Sequence, residues 1–232
     1  MTNSIQVLDR GLVRLVDHMG SDLSIVRAAR VSYDAAWRAG QDKGSDDRLI
    51  RYLWRHHHTS PFEACSLTFE VKAPIFVLRQ WMRHRTWSFN ELSGRYRELN
   101  GEFYVPDINH IGVQSKDNKQ GRDLVGMSDP KMLFKYEQAC CEAFGVYKDL
   151  LEAGWPRELA RAVLPLSTYS HMFATVNLLN LFKFISLRSH EHAQYEIREY
   201  SDAMLKLIEP LFPVAVEVFK ATLAATSKEK SP

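Results

Sequence analysis

Cysteine is scarce in this 232-residue chain: there are three, Cys65, Cys140 and Cys141. An odd count rules out a fully paired disulfide framework, and no CxxC or Cys/His spacing of the zinc-binding kind occurs. Reduced thiols suit a cytoplasmic setting, and the polar start Met1–Asp9 lacks the apolar core of a signal peptide. Excess charge is also missing. Thirty Lys and Arg against 28 Asp and Glu leave a formal net charge of +2, which argues against an extended nucleic-acid surface. No apolar run approaches the ~20 residues that a membrane span needs. No GxGxxG fingerprint, internal repeat or linker is found. Cys140 and Cys141 are adjacent within a helical pattern, so they point in different directions. What remains is a chain of ordinary globular composition, long enough for one sizeable core.

The patterning predicts an α+β fold: a single domain over residues 1–225, an antiparallel or mixed sheet covered by helices, long helices in the C-terminal half, and a polar tail at 226–232. Residues 5–19 read as one or two strands. Asp22–Val31 reads as a helix capped by Ser21, Ala35–Asp46 as a loop, and Asp47–His57 as a helix. Ser60-Pro61-Phe62-Glu63 has the form of a capped helix start. Ser66–Lys72 alternates and reads as a half-buried strand. Pro74 opens a helix to about Arg83, followed by an irregular stretch at Thr86–Asn90. Short strands are expected at Tyr96–Leu99 and Glu102–Val105, and a loop or lid over Ile108–Met127. Asp129-Pro130 begins a long helix ending at Gly154, and Pro156 a shorter one containing Arg161. Leu166–Val176 reads as a strand and Leu178–Leu187 as a helix. Glu191 to about Glu209 reads as a helix with Ala193, Ile197, Tyr200, Met204 and Ile208 on one face.

One segment stands out chemically. Five arginines (Arg79, Arg83, Arg85, Arg95 and Arg97) gather around a helix end and a loop, with His84, Ser88, Asn90, Glu91 and Ser93 among them. Guanidinium forks recognise phosphate in two-pronged fashion, and serine hydroxyls and loop amides complete such sites. Ser93-Gly94-Arg95 therefore reads as a phosphate cradle, with Gly94 permitting close backbone approach. A solvated basic loop is the plainer reading, and the polar residues at 88, 90 and 93 tilt against it. Ser93 reads as a phosphate donor rather than a nucleophile, because no Ser-His-Asp arrangement surrounds it. His56-His57-His58 does not converge on a metal, since neighbours on a helix point about 100° apart. His192 and Glu196 are four apart but lack a third ligand, and no metal site is expected.

The series Arg83-His84-Arg85, then Ser88, Asn90, Ser93 and Arg95, resembles the signature of the flavin-dependent thymidylate synthases at all seven fixed positions. The likeness extends to Arg27–Ser32, His58–Glu63, Arg161–Pro165, Leu187-Arg188 and His192-Ala193-Gln194. It implies reductive methylation of dUMP to dTMP, with FAD as cofactor, methylenetetrahydrofolate as carbon donor and NADPH as reductant. It also implies a homotetramer that shares active sites between subunits. By position, Gln80, Trp81, Met82, Arg83, Glu91, Leu92, Ser93, Gly94, Arg95 and Arg161 resemble dUMP-binding residues, with Ser93 and Arg95 near the phosphate. Arg188 resembles the arginine that faces the pyrimidine edge and acts in catalysis. Ser60, Arg83, His84, Arg85, Glu91, Asn177 and Lys183 resemble FAD contacts, and His58 a histidine near the flavin face, where the folate ring could stack. Leu179 departs from the pattern, which has Arg there, and so does Lys183, which replaces a smaller polar residue. No cysteine lies in the basic setting that a reactive thiolate requires, so activation of the pyrimidine falls to charge stabilisation by Arg188. Two other readings are a nucleotide-binding regulator without catalysis and a single-stranded nucleic-acid binder stacking bases on Trp81, Trp87 and Tyr96.

Overall fold

A computed structural model describes residues 3–124 and 129–229, with side chains to residue 225. The strands are β1 Ser4–Val7, β2 Gly11–Met19, β3 Ser66–Pro74, β4 Ser88–Glu91, β5 Val113–Gln114, β6 Arg122–Asp123 and β7 Tyr169–Asn177. The helices are α1 Asp22–Arg30, α2 Lys43–Arg55, α3 Ile75–Trp81, α4 Pro130–Glu152, α5 Arg157–Ala160, α6 Leu178–Arg188, α7 Tyr195–Ile208 and α8 Pro213–Glu229. Five strands form one antiparallel sheet in the order β1-β2-β3-β7-β4, and β5 and β6 make a separate hairpin.

The centre of the sheet follows from simple alternation. Along β3, Leu67, Phe69, Val71 and Ala73 are fully buried, while Thr68, Glu70 and Lys72 turn outward. β3 pairs with β7 continuously from Ser66 opposite Asn177 to Pro74 opposite Tyr169. Helices cover the inner face. Phe182 on α6 stacks on Phe219 of α8 at 4.2 Å, and Trp54 meets Phe62 and Phe182 edge-on at 5.3 and 5.4 Å. Each such side chain contributes about 1.5–3 kcal/mol by leaving water. A smaller cluster of Phe144, Tyr147 and Ala160 joins α4 to α5.

The α+β architecture agrees with the sequence reading, and several element bounds do not. α2 begins at Lys43, because Asp42 caps it by accepting from the Ser45 amide at 3.1 Å. Ser60–Ala64 forms only a 3-10 turn, with Thr59 rather than Ser60 in the cap position. Thr86–Asn90 is not irregular throughout: β4 starts at Ser88 and pairs with the outer edge of β7. Tyr96–Leu99 and Glu102–Val105 are not strands, and a single bridge from Phe103 to Thr168 is all they contribute. The expected loop after Ile108 contains the β5–β6 hairpin, and Val125, Gly126 and Met127 lie outside the described residues. α4 is capped by Asp129, which accepts from the Lys131 amide at 2.9 Å, and Gly154 just past its end has φ +83°. α7 starts at Tyr195, so Ala193 packs against the core from outside the helix. α8 was unforeseen, and its backbone continues past Ala225 into the segment read as a polar tail.

Candidate active site

α3 and the turn after it are anchored from behind. Trp81 is fully buried, stacks on Phe184 of α6 at 4.7 Å and meets Trp87 edge-on at 5.8 Å. The Trp81 side chain is therefore core, and its effect is to fix the residues on either side. Gln80 sits on the last turn of α3, and the His84 amide closes the following turn by donating to the Trp81 carbonyl at 2.9 Å. The His84 ring lies edge-on to Phe184 at 4.9 Å.

Arg188, on the last turn of α6, reaches across to this corner. Its Nε donates to His84 Nε2 at 2.9 Å, and its Nη2 donates to the Gln80 carbonyl at 3.1 Å. Burial, and then the neighbouring guanidinium, pull the His84 pKa down to about 4. The imidazole is therefore neutral at ordinary pH and free to accept. Burial also draws Arg188 below the usual guanidinium value. Neither of its two partners carries a negative charge, and among the described residues no carboxylate pairs with it. Gln80 in turn makes a side-chain amide contact with Gln194.

The other end of the segment is a turn. The Tyr96 and Arg97 amides both donate to the Ser93 carbonyl, at 3.1 and 3.3 Å, and the Arg95 amide donates to Ser93 Oγ at 3.3 Å. Gly94 is buried beneath Arg161: a Cβ at Gly94 would stand 3.1 Å from Arg161 Cδ. Arg161 opens the 3-10 turn after α5, and Glu158 of α5 pairs with Arg95, Oε2 to Nε at 3.4 Å. The fold thus brings Ser93, Gly94, Arg95 and Arg161 together. Between the two ends, Glu91 accepts from Ser170 Oγ at 2.7 Å, and the Leu92 amide donates to the His171 carbonyl at 2.8 Å.

The remaining expected residues are more scattered. Met82, Arg83 and Arg85 are exposed, and the two arginines stand outside the ion pairs found among the described residues. His58 and Ser60 are exposed beyond α2; the ring contact of His58 is with Tyr52, at 6.0 Å. Asn177 uses its Oδ1 to cap α6, accepting from the Asn180 amide at 2.9 Å. Lys183 is exposed on α6, whereas Leu179 is buried in the core. Gln194, Ser170 and Glu158 had no role in the sequence reading. Gln194 belongs to the family-like stretch His192-Ala193-Gln194, while the other two carry no signal in the sequence.

The cysteines do not enter the site. Cys65 is buried, and burial pushes its thiol up to about 11. Cys140 is buried beside Ser167, and Cys141 is exposed on α4. His192 precedes α7 while Glu196 is buried within it, so the two do not share a helix face as their spacing suggested. Trp81 and Trp87 are buried, which removes two of the three stacking platforms from a nucleic-acid surface. Among the described residues no helix is long and apolar enough to cross a membrane.

Comparison with known proteins points to one family. The family described as "Thymidylate synthase complementing protein" matches residues 14–214. The flavin-dependent thymidylate synthase of Thermotoga neapolitana is 47% identical over 215 residues, covering 93% of this chain and 93% of the relative. That of Thermus thermophilus is 48% identical over 222 residues, covering 95% and 79%. Among solved structures, a UMP/dUMP methylase, PolB, from Streptomyces cacaoi bound with 5-Br dUMP superposes with a TM-score of 0.84 at 44% identity, covering 94% of this chain and 97% of the other. Homology over nearly the whole chain, together with the complete arginine-rich motif, makes this chain a member of the flavin-dependent thymidylate synthase family.

Proposed function

We propose that this enzyme converts dUMP to dTMP by reductive methylation, methylenetetrahydrofolate giving the carbon and NADPH the reducing equivalents. The observation that carries the proposal is the half-buried Arg188, held by neutral His84 and the Gln80 carbonyl with no carboxylate paired to it among the described residues. A guanidinium stays charged at working pH. With Nε and Nη2 engaged, Nη1 is left to donate to a pyrimidine edge. An under-solvated cation gains most from an anion, so Arg188 favours loss of the N3 proton and the build-up of charge that C5 methylation needs. Cys65 offers no competing nucleophilic route, because it is enclosed and held as a thiol. Ser93, Gly94, Arg95 and Arg161 bind the nucleotide phosphate, and Gln80, Met82, Arg83, Glu91 and Leu92 line the path between phosphate and base.

The residues fit FAD by donor chemistry. Arg83 and Arg85 are exposed cations without carboxylate partners among the described residues, the complement of a pyrophosphate. With His84, Ser60, Glu91, Asn177 and Lys183 they would hold the cofactor, and His58 would stand near its face. Reduced FAD, when bound, supplies the hydride. Ser60, Arg83, Arg85, Glu91 and Lys183 lie on open surface, which supports a homotetramer in which neighbouring subunits close the site. Exposed Trp37, Phe134, Trp155 and Leu159 offer apolar area for such contacts. A cytoplasmic location accords with the free thiols.

The test is the spectrum of the purified protein. It should absorb in the flavin region and bleach with NADPH, faster when dUMP is present. A colourless protein that cannot be reconstituted with FAD would favour the non-catalytic nucleotide-binding reading.

A further inference from the structure

Glu196 is a carboxylate on the first turn of α7 with only 1% of its surface exposed. Two groups from distant parts of the chain converge on its Oε1: Tyr104 Oη donates at 3.1 Å and Arg122 Nη2 at 2.9 Å. Arg122 belongs to β6. It also lies over the ring of Tyr195 at 5.6 Å, and His110 packs on the same ring at 4.3 Å. The hairpin itself is closed locally, since Gln114 Nε2 donates to the carbonyls of Lys119 and Gly121 at 3.0 and 2.9 Å. Arg122 therefore ties a locally closed hairpin to the start of α7. Two residues before Glu196, at the N-cap of α7, stands Gln194, whose side chain meets that of Gln80. Gln80 carries the carbonyl to which Arg188 donates.

We infer that Glu196 is a positioning residue: it pins the start of α7 between Tyr104 and Arg122, and thereby holds Gln194 against Gln80 beneath Arg188. A carboxylate suits the task because its charge pairs with the guanidinium while the same oxygen accepts from the phenol, and a neutral amide would lose that ion pair. Both bonds fall on Oε1, Oε2 being buried with no hydrogen-bond partner among the described residues; a buried group tied to two neighbours has little freedom, so the backbone two residues earlier is fixed with it. Coupling of this kind travels through contiguous contacts, and non-additive double mutants reveal it. The inference rests on the nucleotide site proposed above for its consequence in binding, but the contact chain stands independently.

The test is hydrogen exchange by mass spectrometry on the flavin-loaded protein, comparing wild type, Glu196→Gln, Gln194→Ala and the double variant. Glu196→Gln should speed exchange in the hairpin 113–123 and also in 78–84. Gln194→Ala should speed exchange in 78–84 alone. The double variant should exchange in 78–84 no faster than the stronger single. Faster exchange confined to 104–123 and 195–199 would show a purely local role and overturn the inference. So would effects in 78–84 that simply add. Arg122→Ala reaches the same carboxylate from the hairpin side and must give the same pattern; unchanged 78–84 in that variant contradicts the proposal even if Glu196→Gln folds poorly. In binding, Glu196→Gln should raise the dUMP dissociation constant about fivefold, and an unchanged value counts against the inference. If wild type fails to bind dUMP, the nucleotide reading falls, while the exchange data still decide the inference.

Discussion

The two ends of the Arg83–Arg95 segment both meet an arginine supplied from elsewhere in the chain, yet the surroundings differ. At the first end, Arg188 is half buried and bonded to a neutral imidazole and a carbonyl. At the second, Arg95 is exposed, pairs loosely with Glu158, and lies near Arg161 packed on a glycine. A solvated, paired guanidinium can trade its carboxylate for a phosphate at little cost, which suits reversible binding. A desolvated guanidinium without a counter-ion has more to gain from negative charge that appears only during reaction. Under the function proposed above, the same residue type thus divides into a binding end and a chemical end through its burial and its partners.

The sharpest way to break this contrast is Arg188→Ala. It should leave flavin content unchanged and lower dTMP formation by about 10²–10³-fold; near-normal turnover would remove the proposed role. Next comes Arg95→Ala, which should raise the dUMP dissociation constant roughly tenfold with little change in flavin content. Wild-type dUMP affinity should also fall with added salt, and a salt-independent dissociation constant would argue against a solvated phosphate site.

A smaller effect concerns His84. Its folded pKa of about 4 lies below the ordinary 6.5, so between those values the unfolded chain takes up a proton that the folded chain refuses. Stability should fall as pH drops through that window and level off on either side. His84→Phe should flatten this dependence, read as the denaturation midpoint against pH; an identical profile would mean that His84 titrates normally. The smallest effect expected is for Gly94→Ala. Its Cβ meets a flexible arginine stem at 3.1 Å rather than backbone, so Arg161 can shift and dUMP binding should weaken only a few-fold. A complete loss would mean that Arg161 cannot move.

The arginine-rich segment Arg83–Arg95 is legible in the amino-acid order alone, because a tightly spaced motif names its residues in one short stretch. What stays hidden depends on distance along the chain. Arg188 with His84, Gln194 with Gln80, and Arg161 over Gly94 join residues far apart in sequence, and local pattern carries no trace of those contacts. Ser88–Glu91 is too short and polar to announce a strand, and it forms one because the edge of β7 offers partners. α8 escapes for a different reason. Val214-Ala215-Val216-Glu217-Val218-Phe219 is rich in β-branched residues and follows two prolines, which masks helical periodicity. Trp81 resembles a nucleotide contact by position, and the packing that makes its side chain a buried anchor cannot be read from the motif.

The division between the two ends is tested most directly by dTMP formation at saturating dUMP in Arg95→Ala and Arg188→Ala, each loaded with flavin. A binding defect is overcome by substrate, and a chemical defect is not. Arg95→Ala should recover close to wild-type turnover while Arg188→Ala remains inactive. Recovery of Arg188→Ala, or a persistent loss in Arg95→Ala, would contradict the account.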